Sequence, residues 1–305
     1  MLTFIIYFYL LLFLMRIMHG QGNSCACTQP DSDFAIGVNL IYYKCNNETS
    51  GTIVYPITAP EEMLKVLEDK RTIFYVFGHS QSPENANVQL MMKALCYERT
   101  DNVVLLDWSK YSKIFYWISF QKAEKVGRLF AQSIRQLVKN GLDISKIYII
   151  GHSLGAHIAA FAGKCNDFTI PRITALDPAN PLFYPFGCYL KSTDAAWIDI
   201  IHTDMGGYGT LTSMGTMEFY ANGGTRPQPG CKLIDNPLSE ADLCSHQRSV
   251  KIYAESKYHP KEFIAVQCPC YVDYKENKCK GNLQSYVGYA ASDVHGSFYF
   301  HTGTL

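Results

Sequence analysis

Apolar residues gather in short, nearly continuous runs through the middle of the chain, separated by polar turns that contain glycine. Runs of this length, rich in β-branched and aromatic side chains, are typical of strands buried on both faces. The sequence therefore predicts buried strands at residues 72–77, 102–107, 147–150, 172–176, 197–202 and 216–220. Less regular stretches at residues 34–43 and 53–57 predict outer strands, and residues 286–300 predict a final pair of strands.

A stripe of apolar residues with helical spacing occupies residues 121–139, and Gly141 follows as a stop signal. Shorter patterns predict helices at residues 60–70, 88–96, 156–163 and 246–255. Because strands alternate with helices, we predict an α/β fold with a mostly parallel central sheet covered by helices on both faces. The chain contains no internal repeat, low-complexity tract or linker that would divide it.

The first residues have the pattern of a targeting segment. An apolar run of 11 residues at positions 4–14 is followed by Arg16 and Gly20, which is the length of a signal-peptide core and short for a membrane span. We predict a signal peptide at residues 1–20, a single domain at residues 21–305, and secretion to the extracellular space. An uncleaved membrane anchor is the alternative.

Composition narrows the class further. Apolar residues make up 48% of the chain, and the formal net charge is zero, which argues against nucleic acid as a partner. Eleven cysteines behind a secretory leader predict disulfides rather than metal ligands, and the odd number leaves at least one unpaired within the chain. Asn47 begins a glycosylation sequon, so we expect it on a surface loop.

The strongest chemical signal lies at residues 147–164, where a buried strand leads into Gly151-His152-Ser153-Leu154-Gly155 and then into a helix. In this setting the pentapeptide predicts a tight turn that raises the Ser153 hydroxyl above the sheet. Gly151 and Gly155 are expected where a Cβ would strike neighbouring backbone. The alternative is a chance match in a loop that is rich in glycine.

A serine nucleophile needs a base and an orienting carboxylate, which follow it in the order acid, then histidine, in sheets of this type. Asp177 is the first acid at the end of a buried strand after Ser153, although Asp before proline is also a common turn. His246 is the favoured base, because it lies beside a cysteine-bounded loop and opens a helix. The residues alone leave four other histidines open: His79, His259, His295 and His301. We expect His202 to be a buried structural residue.

The oxyanion of an acyl-transfer reaction needs two backbone donors. The N–H of Leu154, directly after the nucleophile, is the first candidate. The second is expected in the loop after an early strand, where His79 follows Gly78.

Six blocks of this sequence resemble the pancreatic-type lipase superfamily in their order and approximate spacing. They are GHSLGAH at residues 151–157, LDPA at 176–179, IIHTD at 200–204, FYANGG at 219–224, QPGC at 228–231 and CSH at 244–246. The resemblance runs from about residue 72 to the end of the chain. It implies an α/β-hydrolase fold with Ser153, Asp177 and His246 as the catalytic triad and with no cofactor.

Loop lengths indicate a branch within that superfamily. Only 12 residues separate Cys231 from Cys244, where triglyceride lipases carry a long lid, and the stretch between His202 and Phe219 is also short. The chain ends where the catalytic domain of the family ends. This combination resembles the secreted phospholipase A1 group of insects, which includes wasp-venom enzymes. A trimmed lid leaves room for a polar headgroup in water while one acyl chain is buried.

The resemblance also implies disulfides. We expect Cys231–Cys244 to close the lid loop, Cys268–Cys279 to form with Cys270 as a competitor, and Cys25 or Cys27 to reach Cys96. The family usually has His-Gly before the oxyanion residue, whereas this chain has Phe77-Gly78 before His79. The acids that bind calcium in pancreatic-type lipases have no clear match at residues 191–194, so we expect no metal.

We therefore expect a secreted, monomeric phospholipase A1 that meets phospholipid at a membrane or micelle surface and releases the sn-1 fatty acid through an acyl-enzyme. A lipase for neutral lipids or galactolipids, or a general esterase, is the first rival. A non-catalytic lipid-binding protein related to yolk proteins is the second, and the intact Ser153, Asp177 and His246 argue against it.

Overall fold

A computed structural model describes residues 25–30, 32–45, 51–183, 187–233 and 236–305. The predicted signal peptide at residues 1–20 and the sequon at Asn47 lie outside these ranges, so both stay predictions. Within the described residues, no helix has the length and apolar character needed to cross a bilayer.

One sheet forms the centre of the described structure. Its eleven strands in that part of the chain are β1 (Asn39–Tyr43), β2 (Thr52–Pro56), β3 (Thr72–Val76), β4 (Asn102–Asp107), β5 (Ile147–His152), β6 (Arg172–Leu176), β7 (Trp197–His202), β8 (Met217–Ala221), β9 (Ile264–Gln267), β10 (Gln284–Tyr286) and β11 (Gly296–Phe300). The six predicted buried strands are present within a few residues of their expected bounds.

The sheet has a parallel centre with antiparallel edges. Its order is β10-β9-β11-β8-β7-β6-β5-β3-β4-β1-β2, and the seven strands from β11 to β4 run parallel to one another. Two antiparallel strands extend each edge. In the parallel centre the ends of β5, β6 and β7 lie side by side, which brings the loops that follow them together.

The described helices are α1 (Ser32–Ala35), α2 (Ala86–Leu95), α3 (Ser109–Ser112), α4 (Tyr116–Lys139), α5 (Leu154–Lys164), α6 (Cys244–Tyr258) and α7 (Tyr271–Lys275). Helix α4 packs on α5, and α2 packs on α6. The strands between these helix pairs have almost no exposed residues, as a sheet covered on both faces requires. This topology is the α/β-hydrolase fold, and the predicted fold class is confirmed.

Two element predictions differ from the structure. Residues 286–300 do not form a pair, because β10 and β11 each pair with β9, a strand that the sequence analysis missed. Residues 60–70 contain a 3₁₀ helix at Glu61–Lys65 instead of a regular amphipathic helix. Both errors lie at the margin of the sheet, where short elements give weak periodic signals.

Five disulfides cross-link the described residues. Cys231–Cys244 and Cys268–Cys279 form as expected, and Cys270 is an exposed free thiol. The prediction that Cys25 or Cys27 reaches Cys96 is wrong: the further pairs are Cys25–Cys188, Cys27–Cys165 and Cys45–Cys96. The segment before α1 lies against α4, where Arg128 donates to the Ala26 carbonyl, and against the end of α5, where Cys27 bonds Cys165. Cys45, which follows β1, lies instead beside the end of α2.

Candidate active site

Ser153 occupies the turn between β5 and α5 in a strained backbone conformation, with φ of 56° and ψ of −123°. A Cβ on Gly155 would lie 2.1 Å from the Val76 carbonyl oxygen, and one on Gly151 would lie 2.5 Å from the Ala156 Cα. Both glycines are therefore required by close backbone contacts, as the sequence analysis expected. The result is a serine that projects from the end of the sheet at the start of a helix.

Asp177 follows β6 with a positive φ of 44° and is completely buried. Its Oδ1 accepts hydrogen bonds from the N–H groups of Thr203 at 2.8 Å and Asp204 at 3.0 Å. Its Oδ2 accepts from His246 Nδ1 at 2.6 Å. The loop after β7 therefore holds one carboxylate oxygen in place and leaves the other to hold the imidazole.

His246 lies in the first turn of α6, two residues after the disulfide Cys231–Cys244. The Ser245 hydroxyl accepts a hydrogen bond from the Gln228 N–H at 3.0 Å, which ties this helix start to the loop after β8. Because Nδ1 donates its proton to Asp177, Nε2 is left as the acceptor of the neutral ring. This is the tautomer that a general base for serine needs.

Ser153 and His246 line one cavity of about 380 Å³, a volume typical of small-molecule sites. His79 lines the same cavity, and its Nδ1 is 3.2 Å from the Ser119 hydroxyl. The other candidate bases, His259, His295 and His301, are exposed. His202 is buried and hydrogen-bonded to Glu218, in keeping with a structural role.

The candidate oxyanion donors flank Ser153. Leu154 begins α5, so its N–H belongs to the first turn, which has no acceptor within the helix. Gly78 must be glycine, because a Cβ there would lie 2.7 Å from the Ser153 Cβ. Two hydrogen bonds hold the loop that carries His79. The Gly78 N–H donates to Gln81 Oε1 at 2.8 Å, and Trp108 Nε1 donates to the Phe77 carbonyl at 3.0 Å.

Several residues around Asp177 were missed by the sequence analysis. A Cβ on Gly209 would lie 2.6 Å from both Asp177 carboxylate oxygens, so this glycine leaves the space that the carboxylate occupies. Tyr208 lines the cavity, with its ring centroid 5.8 Å from that of His246. Arg226 forms ion pairs with Asp204 and Asp242. No periodic pattern marks loop residues of this kind; only their position after β7 and β8 could have suggested them.

The donor atoms of Asp177, Asp204 and His246 lie within 4.8 Å of one another, close enough in principle to share a cation. The chemistry of the group does not fit a metal site. Asp204 is already paired with Arg226, and Asp177 is satisfied by two N–H groups and by His246. Within residues 191–194, where the family's calcium ligands would be expected, Asp194 pairs with Lys164 Nζ at 2.7 Å.

Comparison with known proteins adds an independent finding. A family model described as Lipase matches residues 20–303. Lipase member H of Oryctolagus cuniculus is 34% identical over 248 residues, which cover 80% of this chain and 54% of that protein. Lipase member H-B of Xenopus laevis is 40% identical over 181 residues, covering 58% of this chain and 39% of that protein.

Pancreatic lipase-related protein 2 of Cavia porcellus is 34% identical over 221 residues, covering 69% of this chain and 49% of that protein. The chain thus spans about half the length of the relatives it matches. Among solved structures, a hydrolase of the α/β superfamily from Xanthomonas campestris is 13% identical with a TM-score of 0.37, and the match covers 62% of this chain and 99% of that one.

Proposed function

The chain belongs to the lipase family, and from this premise we propose that it is a secreted serine ester hydrolase of the phospholipase A1 type. The observation that carries the proposal is the buried hydrogen bond of 2.6 Å from His246 to Asp177, together with the fact that His246 lines the same cavity as Ser153. A hydroxyl, an imidazole and a carboxylate in this order are the parts of a serine hydrolase.

The proposed reaction has two steps. His246 Nε2 takes the proton of the Ser153 hydroxyl while its oxygen attacks the sn-1 ester carbonyl, and Asp177 stabilises the imidazolium. The N–H groups of Leu154 and His79 bind the oxyanion. His246 then gives its proton to the leaving lysophospholipid oxygen. Water, activated in the same way, attacks the acyl-enzyme and releases the fatty acid, so that no cofactor enters the balance.

The preference for phospholipid rests on the loop that Cys231–Cys244 closes. Pro237 and Leu238 of this short loop line the cavity, while Glu240 of the same loop is exposed and charged. An apolar wall with a polar border suits one acyl chain beside a headgroup that stays in water. As part of this proposal, the short loops place the chain near the insect venom phospholipases.

Exposed apolar side chains near the cavity support a lipid surface as the partner. Phe115 is 78% exposed and Trp117 is 55% exposed, and they flank Tyr116, which lines the cavity. Leu238 is 51% exposed on the cysteine-closed loop. Aromatic and aliphatic side chains in such positions can enter the interfacial region of a bilayer. Secretion is supported by the five disulfides, since such bonds persist in oxidising compartments.

Labelling with a fluorophosphonate probe tests the proposal. We expect one covalent adduct on Ser153, because only a serine with a positioned base attacks the probe rapidly. Ser153→Ala should abolish the adduct, while Ser145→Ala, in an exposed turn after α4, should label like the wild type. A folded wild-type protein that forms no adduct would overturn the proposal and favour a non-catalytic lipid-binding protein.

A further inference from the structure

The Arg226 guanidinium is paired with Asp204, whose backbone N–H bonds the candidate acid Asp177. Its Nε and Nη2 donate to the two carboxylate oxygens of Asp204 at 2.6 and 2.7 Å, and its Nη1 donates to Asp242 Oδ1 at 3.0 Å. Hydrogen bonding to Asp204 raises the pKa of Arg226 above its usual value, although partial burial opposes the rise. One cation therefore joins the loop after β7 to the cysteine-closed loop.

Asp204 is the link between Arg226 and the candidate triad. Its backbone N–H donates to Asp177 Oδ1 at 3.0 Å, and its side chain is completely buried. A donor atom of its carboxylate lies within 4.8 Å of one on Asp177. Two buried carboxylates at this separation repel each other unless a cation neutralises one of them. Arg226 supplies that cation in a bidentate geometry.

We propose that Arg226 is a positioning residue of the ester hydrolase, which neutralises Asp204 beside the triad carboxylate and fixes the cysteine-closed loop through Asp242. This inference rests on the proposed function of Ser153, Asp177 and His246. Arg226 itself does not line the cavity, so it acts through Asp204, through the cysteine-closed loop and through the Tyr208 ring, whose centroid lies 5.1 Å from its guanidinium carbon.

Several titratable groups face this cluster from the elements around it. His246 approaches from α6, His152 from the end of β5 with its ring 4.9 Å from that of His246, and Tyr208 from the loop after β7. Asp242 contributes the remaining carboxylate from the cysteine-closed loop. Burial and the adjacent His246 hold the pKa of His152 well below its ordinary value, so His152 adds no charge near neutral pH. Arg226 is therefore the fixed positive charge of the group.

The contact of Arg226 with Asp242 organises the cysteine-closed loop. Asp242 Oδ2 accepts from the Leu238 N–H at 3.1 Å and from the Tyr208 hydroxyl. Burial disfavours the charged form of Asp242, but the bonds from Tyr208, Leu238 and Arg226 together lower its pKa. Tyr208 and Leu238 both line the cavity, so this contact connects Arg226 to the wall that receives the substrate.

The pH dependence of hydrolysis tests the contact of Arg226 with Asp204. Arg226→Gln leaves Asp204 as an uncompensated negative charge beside Asp177 and His246, which favours the protonated imidazole. We expect the acidic limb of kcat/KM for a soluble p-nitrophenyl ester to move upward by about 0.5–1 pH unit. Arg226→Lys keeps the charge and should stay within about 0.3 pH unit of the wild type. Arg226→Gln combined with Asp204→Asn removes both charges and should return the limb toward the wild type.

Asp242→Asn distinguishes the contact of Arg226 with Asp242 from its contact with Asp204. It removes a negative charge on the far side of Arg226, so the limb should not move upward, whereas KM should rise severalfold because the loop loses its anchor. Arg128→Gln, on the outer side of α4, is the matched control for loss of an arginine. An unshifted limb in Arg226→Gln, or an equal upward shift in Asp242→Asn, would contradict the proposal.

Titration of the His246 ring protons by NMR repeats the test without turnover. Arg226→Gln should shift the midpoint upward by the same amount as the kinetic limb, and the double variant should reverse the shift. If the wild type hydrolysed no ester, the proposed function would fail, but this titration would still test whether the charge of Arg226 affects the protonation of His246. An unchanged midpoint in folded Arg226→Gln would overturn the role of Arg226 even with full hydrolase activity.

Discussion

The carboxylate of Asp177 is held by hydrogen bonds on one side and fits against a residue without a side chain on the other. Two N–H groups hold Oδ1, and Gly209 lies where any side chain would displace both oxygens. Gly209 has no positive φ, so an alanine there is excluded by the space that Asp177 occupies and not by backbone strain. The geometry of the candidate triad therefore depends on a residue that takes no part in the proposed reaction.

Gly209→Ala should reduce kcat about 100-fold, because a displacement of the triad carboxylate by about 1 Å misaligns the base. Circular dichroism and ester hydrolysis on the same preparations check this. Gly303→Ala is the matched control, since a Cβ at Gly303 meets nothing within 4 Å and should leave the rate unchanged. A folded Gly209→Ala with a rate within twofold of the wild type would contradict the packing argument.

Residues placed by regular structure could be predicted, and residues placed by loops could not. Ser153 and Asp177 directly follow buried strands, and His246 opens a helix, so local patterns locate them. Gly209 and Arg226 matter because of partners distant in sequence, and their neighbours carry no periodic signal. The resemblance to a family gave the triad as a set, whereas the structure supplied the geometry that joins Asp177 to His246.

At the scale of elements, the parallel strands were predictable because each is a short run buried on both faces. Helix α4 begins at Tyr116, five residues before its predicted start. The prediction began too late because the polar Ser119 interrupts the apolar pattern of the first turn. This serine is buried and satisfied by backbone carbonyl groups such as that of Tyr111 at 2.7 Å, so its polarity misleads a reading by hydrophobic pattern. Strand β9 was missed because it has only four residues.

Helix α5 carries a buried histidine, His157, which we expect to make the stability of the fold depend on pH. Burial lowers the pKa of His157 to about 4, and its neutral ring bonds the Ala179 carbonyl at 2.7 Å and the Leu190 N–H at 3.1 Å. In the unfolded chain the ring titrates near pH 6.5, so the unfolded state binds the extra proton between pH 6.5 and 4. The folded state should lose about 3 kcal/mol from this group as the pH falls through that window.

His157→Gln should flatten the dependence of the unfolding free energy on pH between 6.5 and 4, whatever its effect on stability at neutral pH. His152 is buried with a lowered pKa as well, so part of the slope should remain. Urea unfolding at several pH values measures the slope, with the exposed His259→Gln as the matched control. An unchanged slope in His157→Gln would contradict the account of this helix.

At the scale of the whole molecule, the chain path determines which cysteines meet. The segment before α1 is tied to the end of α5 by Cys27–Cys165 and to the loop before β7 by Cys25–Cys188. Sequence order alone does not fix such connectivity, because many pairings are possible among eleven cysteines. Cys231–Cys244 was predictable because it closes a short loop that the family resemblance marks.

The proposed choice of lipid also belongs to the scale of the whole molecule. In the proposed reaction the triad attacks the ester, whereas we expect the short loop of Pro237 and Leu238 and the exposed Phe115 and Trp117 to shape the approach of a lipid surface. The sequence predicted the shortness of the loop, but the contact of Asp242 with Arg226, which fixes its position, required the structure.

The central claim is tested most directly by mass spectrometry of the products from a phosphatidylcholine with different acyl chains at sn-1 and sn-2. The wild type should release the sn-1 fatty acid together with the 2-acyl lysophospholipid, and Ser153→Ala should release neither. A mixed-chain triglyceride, offered in parallel, should be cleaved more slowly. Release of the sn-2 chain, preferential cleavage of the triglyceride, or release that persists in Ser153→Ala would contradict the account.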